Sequence, residues 1–306
     1  MSIQTNLTNT NLIFPTTFHE DNRVTLFDGD CEVFLNSLPP NSLQLVVTSP
    51  PYNVGKEYET NIPFDEYIEW QDRIIGLCIE KLKDQGSICW QVGNYIDRKN
   101  KNEVFPLDIY LYNSFKSRGL QLRNRIIWHF GHGLHANSRF SGRYETILWF
   151  TKTDDYVFNL DPVRVPQKYP GKKAYKGEKA GQYSSNPLGK NPSDVWEIPN
   201  VKSNHIEKTE HPCQFPISLV NRLITSMSNE NDLVFDPFMG VGTTLAASAI
   251  NNRRSAGCEI HRPYLDIAAT RVKKALNNEL SFRDDKPVYE PPVGSGLTQN
   301  PFTIEQ

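Results

Sequence analysis

The chain has 306 residues, with 33 Lys and Arg against 35 Asp and Glu and a formal net charge of −2. That length suits one large domain, or one domain carrying a sizeable insertion, and the charge balance excludes a uniformly basic nucleic-acid coat while leaving room for local patches. The five cysteines, Cys31, Cys78, Cys89, Cys213 and Cys258, are an odd, scattered set without the close pairs of a zinc site, which points to a reduced, intracellular setting. Residues 1–10 are polar and lack a signal-peptide pattern. No apolar run approaches the roughly 20 residues of a membrane span, so the expectation is a soluble, cytoplasmic protein with no membrane partner.

The predicted elements run as follows. A loose arm covers 1–22, and a short strand over 24–27 ends at Asp28-Gly29-Asp30. A helix spans 31–38. Residues 43–48 (LQLVVT) form an apolar, β-branched run bounded by turn formers, which predicts a buried parallel strand. An amphipathic helix covers 67–82 and a strand 86–92; a helix covers 105–117, and strands follow at 121–128 and 144–151. Helix 215–227, strand 232–236, helix 242–251, strand 254–259 and helix 263–276 complete the series, with a Pro- and Gly-rich tail beyond. Strands alternating with helices predict an α/β fold with a doubly wound, mostly parallel sheet.

Between 161 and 210 the composition shifts to Pro, Gly, Lys, Asn and Ser, and apolar periodicity fades. Lys168, Lys172, Lys173, Lys176, Lys179 and Lys190 are interleaved there with Tyr169, Tyr175, Tyr183 and Trp196. Such a stretch reads either as a solvated insertion or as a surface for phosphates and bases; it is too long for an ordinary connection, which favours the second. The expected organisation is therefore an arm (1–22), a first half of the main domain (23–160), an irregular insertion (161–210), a second half (211–280) and a tail (281–306).

Two turns carry chemistry. Asp236-Pro237-Phe238-Met239-Gly240-Val241-Gly242-Thr243-Thr244 links a predicted strand to a predicted helix. Its glycines permit a tight turn and close ligand approach, and the helix start offers free N–H groups to an anion. A triphosphate loop needs Lys where Thr243 stands, and a dinucleotide fingerprint needs Gly where Leu245 stands. A smaller anion fits, such as an amino-acid carboxylate. Glu259, at the end of the next strand, is placed to accept from ribose hydroxyls. Carboxylate plus ribose describes S-adenosylmethionine; the plainer alternative is a strand–turn–helix with a surface acid.

The second turn is Thr48-Ser49-Pro50-Pro51-Tyr52-Asn53. Two prolines fix φ and remove two donors, leaving carbonyls as acceptors. An exocyclic amino nitrogen is a poor nucleophile because its lone pair is delocalised. Accepting both N–H hydrogens, at Ser49 Oγ and the Pro50 carbonyl, favours the pyramidal, nucleophilic form and stabilises the positive charge that develops. Tyr52 can stack on a base that has left its duplex. A purely rigid turn is the plainer reading.

Together, and in this order, the two turns resemble the DNA amino-methyltransferases, and among them the circularly permuted β group. Gly29-Asp30 resembles the family position that contacts the cofactor adenine, and His211-Pro212-Cys213-Gln214-Phe215-Pro216 its segment closing over the cofactor. The likeness covers about 23–276 and implies a permuted Rossmann-like methyltransferase of restriction–modification or orphan type, with 161–210 as its target-recognition region. It implies Asp30, Asp236, Phe238, Gly240, Gly242, Thr244 and Glu259 at S-adenosylmethionine, and Ser49, Pro50, Pro51 and Tyr52 at the reacting base of double-stranded DNA. It leaves room for a partner endonuclease and a homodimer. Family enzymes acting on adenine N6 usually carry Asp where Ser49 stands, and Ser is commoner for cytosine N4; Asn53, typical of the adenine enzymes, tips the expectation towards adenine.

Weaker signals remain. His129, His132 and His135 recur every third residue around Gly131 and Gly133 with no Cys or acid to complete a metal site, and methyl transfer from a sulfonium needs none. Arg118, Arg123, Arg125, Arg139 and Arg143 make 118–143 basic, either as a solvated face or for phosphate contact. Rival functions are an RNA or protein-glutamine methyltransferase, which usually places its cofactor loop first, and a catalytically silent DNA-binding protein, against which the intact Ser49 and glycine turn speak.

Overall fold

The computed structural model describes residues 14–53, 62–97, 103–131, 133, 135–166, 173–183, 186–202 and 204–283. The expected arm over 1–13, the tail beyond 283, and His132, Lys168, Tyr169 and Lys172 lie outside the described residues.

Among the described residues, the chain order is β1 (Val24–Asp28), α1 (Cys31–Ser37), β2 (Leu43–Thr48), α2 (Phe64–Lys81), β3 (Leu82–Val92), β4 (Asn94–Asp97), β5 (Glu103–Pro106), α3 (Leu107–Lys116), β6 (Gln121–His129), β7 (Tyr144–Thr151), a 3-10 turn (Asp161–Val163), β8 (Val195–Glu197), α4 (Ile217–Met227), β9 (Leu233–Asp236), α5 (Thr243–Ile250), β10 (Arg254–Glu259) and α6 (Arg262–Leu276). Eight strands form one sheet in the order β1-β10-β9-β2-β3-β7-β6-β8. β7 runs antiparallel to both neighbours, and every other adjacent pair is parallel. The expected mostly parallel α/β sheet is observed.

β2 is central, and all six of its residues are buried. Val46 joins a core built with Phe34, Leu35, Ile74, Ile75, Leu111 and Phe115, which come from α1, α2 and α3. Leu45 and Val47 join the opposite core with Leu219, Val220 and Leu223 of α4 and Ala247 of α5. The alternation puts one helical layer on each face, which explains why the run in the sequence is largely apolar.

The central pair fixes where a ligand crevice can form. From β9 the chain crosses through α5 to β10 on one side; from β2 it crosses through α2 to β3 on the other. The order reverses between β9 and β2, and a crevice opens beyond the carboxyl ends of strands at such a point.

Apart from shifts at element ends, such as β3 beginning at Leu82 and not at 86, the following differ from expectation. Pro106 ends β5 and precedes α3, so the helix starts at Leu107 and not at 105; Phe105 instead enters the β4–β5 pair, where its ring meets Phe64 at 4.8 Å. This small pair escaped detection because each of its strands has only four residues. Helix α2 begins three residues early, at Phe64, behind Pro63 and with Asp65 and Glu66 in its first turn, where acids favour the helix dipole. Within the expected insertion, 195–197 form β8 and extend the main sheet beside β6. Trp196 anchors it: the ring is buried, its Nε1 donates to the Ser193 carbonyl at 2.7 Å, and the Arg222 guanidinium lies 4.8 Å from its centroid.

Replacing Trp196 by Ala should cost about 3 kcal/mol, the usual loss for a buried aromatic. Limited proteolysis should then cut within 161–200 far faster than in the parent protein; equal cutting rates would mean that Trp196 does not hold this edge.

Candidate active site

Asp236 ends β9 and is buried. Its Oδ1 accepts from Thr48 Oγ1 at 2.6 Å and from the Phe238 N–H at 3.1 Å, while Oδ2 accepts from Thr244 Oγ1 at 2.7 Å. One carboxylate thus ties the end of β2, the turn after β9 and the first residues of α5. Burial pushes this carboxyl up to about 6, although all three donors act the other way. Asp236 and Thr244, both expected at the cofactor, have their side chains buried beneath the turn and engaged with each other.

The turn needs glycine. Gly240 and Gly242 have φ of 49° and 72°, in the left-handed region, and a Cβ on Gly242 would lie 2.8 Å from that of Ala268 in α6. The His211 ring comes over Gly240, so that a Cβ there would meet Nε2 at 3.2 Å. His211 Nδ1 accepts from the Cys213 N–H at 3.2 Å, and its ring packs edge-on against Tyr264. Burial, with Lys208 nearby, pushes His211 down to about 4, so the imidazole is neutral near pH 7. Phe238 is half-buried against Trp70 and Trp90, with ring centroids 5.2 and 6.1 Å away.

Glu259 ends β10 opposite Asp28 of β1. Its carboxylate accepts from the His261 N–H at 2.7 Å and its carbonyl from the Gly29 N–H at 3.1 Å; burial raises its pKa. Asp30 is exposed and caps α1, accepting from the Glu32 N–H at 2.6 Å.

The Pro-Pro corner leaves β2 at the same edge. Ser49 Oγ lies 3.3 Å from the Tyr52 hydroxyl, which donates to Glu145 Oε2 at 3.4 Å. Gln91 Nε2 donates to the same Glu145 oxygen. Burial pushes the Glu145 carboxyl up to about 7 and the Tyr52 hydroxyl above its ordinary value. Tyr67 of α2 donates its hydroxyl to the Pro51 carbonyl at 2.9 Å. Asn53 has a φ of 57°, and its side chain bonds both backbone groups of Ile62, at 2.7 and 3.1 Å. Pro50 is buried and Pro51 half-buried within the corner.

Sequence reading missed Glu145 and Gln91. The available signal was a polar residue inside otherwise apolar strands, Glu145 in β7 and Gln91 in β3. The basic stretch resolves partly into internal pairs: Arg118 binds Asp72, Arg123 binds Asp154 and lies over Tyr156, and Arg125 binds Asp108. These three serve the fold. Among the described residues no group of three His, Cys, Asp or Glu side chains could hold a metal, and no helix is long and apolar enough to cross a membrane.

Asp236→Ala should lower stability by about 3 kcal/mol in chemical denaturation, because two buried hydroxyls and an N–H lose their acceptor; Asp236→Asn should cost less. The folded carboxyl titrates near 6 against about 4 in an unfolded chain, so its contribution to stability falls as pH rises across that window. Asp236→Asn should lack this slope, and an unchanged pH dependence would contradict the assignment.

A family model described as DNA methylase, N6/N4 type, matches residues 43–270. The Type II methyltransferase M.BglII of Bacillus subtilis is 49% identical over 254 residues, 83% of this chain and 70% of its own length. The solved cytosine-N4-specific PvuII DNA methyltransferase aligns with a TM-score of 0.65 at 21% identity, covering 85% of this chain and 94% of its own, a likeness of fold. TTHA0409 of Thermus thermophilus, a DNA modification methylase described as putative and solved with S-adenosylmethionine, aligns with a TM-score of 0.58 at 27% identity, over 82% of this chain and 95% of its own. The chain belongs to the N6/N4 DNA methylase family, S-adenosylmethionine-dependent amino-methyltransferases of restriction–modification type.

Proposed function

We propose that the chain transfers the methyl group of S-adenosylmethionine to the exocyclic amino nitrogen of a base flipped out of double-stranded DNA, and that this base is cytosine. The observation that carries the reading is the pairing of two corners across the β2–β9 crevice, held together by Asp236 between Thr48 and Thr244.

In this reading the Gly240–Gly242 turn and the start of α5 receive the cofactor's amino-acid end, with Phe238 beside them. Glu259 accepts from the ribose, and Asp30 marks the adenine end. Asp236 and Thr244 hold the turn from beneath. Ser49 Oγ and the Pro50 carbonyl accept the two amino hydrogens, so the nitrogen lone pair is freed towards the sulfonium methyl. Pro51 keeps the corner rigid, with its carbonyl pinned by Tyr67. Tyr52 stacks on the base. The nitrogen attacks the methyl carbon, the carbon–sulfur bond breaks with its electron pair on sulfur, and the amine then sheds one proton.

The choice of base rests on Ser49. Asn53, which had tipped the balance towards adenine, is accounted for by the loop: it occupies the left-handed region and clamps Ile62. Ser at the first position is commoner among the cytosine-N4 enzymes, although some adenine enzymes of the β group carry it too. Residues 161–210 supply target recognition in this reading, with β8 fastening them to the sheet. A restriction endonuclease reading the same site is the partner implied by the Type II relatives.

Plasmid DNA of mixed sequence, treated with labelled cofactor and digested to nucleosides, should yield N4-methylcytosine by mass spectrometry. N6-methyladenine instead would reverse the choice of base; no methylated base would end the reading. Tyr52→Ala should cut kcat by roughly a hundredfold while leaving cofactor affinity within about twofold. Equal loss of both would count against stacking.

A further inference from the structure

Glu145 is a half-buried acid that takes no part in the transfer step itself. Oε2 receives two donors: the Tyr52 hydroxyl, 3.4 Å away, and the Gln91 side-chain amide. The amide fixes the sense of the network. Gln91 Nε2 can only donate, so the oxygen it reaches must accept, whether or not the other Glu145 oxygen carries a proton. Tyr52 has one hydroxyl hydrogen. If that hydrogen points at Glu145, the phenolic oxygen offers Ser49, 3.3 Å away, only lone pairs. Ser49 must then donate its own hydrogen to Tyr52. Both lone pairs of Ser49 Oγ are left for an incoming N–H.

We infer that Glu145, held by Gln91, is a positioning residue that orients the hydroxyls of Tyr52 and Ser49 in one direction, so that Ser49 meets the base as a pure acceptor. The inference rests on the reading of Ser49 as the amino-group acceptor. Without an acceptor behind Tyr52 the two hydroxyls can reverse. A Ser49 that points its hydrogen outward opposes the amino N–H it has to receive. The separations of 3.3 and 3.4 Å are loose for O–H···O bonds, and catalytic hydrogen bonds of this kind tighten when substrate binds.

The test is a double-mutant cycle on the full-length enzyme, with cofactor affinity measured separately by calorimetry. Glu145→Leu removes the acceptor, and Tyr52→Phe removes the link while keeping the ring. Each should lower kcat by roughly tenfold, and the double variant by no more than either alone, because all three break one chain. Glu145→Gln, whose amide oxygen can still accept, should recover most of the rate. Cofactor affinity should stay within about twofold throughout. A wild-type kcat in Glu145→Leu, losses that multiply towards a hundredfold in the double variant, or weakened cofactor binding in Glu145→Gln would each overturn the inference. Should Glu145→Leu fail to fold, Glu145→Ala takes its place in the cycle: a double variant with Tyr52→Phe no slower than either single variant supports the chain, and a further tenfold loss overturns it. Absence of base methylation by the wild-type enzyme would instead sink the underlying reading of Ser49.

Discussion

The arrangement depends on one buried carboxylate. Asp236 takes hydrogen bonds from Thr48, which precedes the Pro-Pro corner, from Thr244, which opens α5, and from the Phe238 N–H between them. The strands on either side would place the two corners at one edge without it, because β2 and β9 are parallel neighbours. Parallel pairing sets neither corner's orientation to the nearest half ångström, and transfer between two bound molecules is sensitive to displacements of that size. Threonine hydroxyls on a short carboxylate supply the missing constraint, at the cost of keeping a charge out of water.

Much of this was legible in the sequence, for a physical reason. A strand buried on both faces is mostly apolar, so β2 and β9 announce themselves, and glycine-rich or proline-rich turns are conspicuous where they interrupt such runs. Relations between distant segments were not legible. Nothing in the letters around Asp236 says that its partners are Thr48 and Thr244 and not a ligand. Nor does the local pattern show that Gln91 and Glu145, 54 positions apart, pair with each other and that Glu145 meets Tyr52. The basic residues illustrate the same limit: Arg118, Arg123 and Arg125 find acids within the fold, information that only the packing contains.

The region between β7 and α4 shows how composition misleads. Its Lys, Gly and Pro content suggested irregular chain throughout, yet Trp196 and Ile198 belong to a main core and β8 continues the sheet. Two backbone bridges, Val165 to Lys190 and Lys173 to Tyr183, add local order without apolar periodicity. A segment tethered at such points can present basic and aromatic side chains while both of its ends stay registered to the crevice.

The outer strand on the other flank has a further consequence. Among the described residues, the sheet neighbour of β1 is β10, more than two hundred residues later, with Ser255 N–H bonded to the Arg23 carbonyl and the Arg23 guanidinium to Asn252. During synthesis β1 has no such partner until the intervening residues have been made. That flank, which carries Asp30 and Glu259, therefore closes only once β10 is available. A product ending before β10 would have the Pro-Pro corner and still lack a finished sheet on this side.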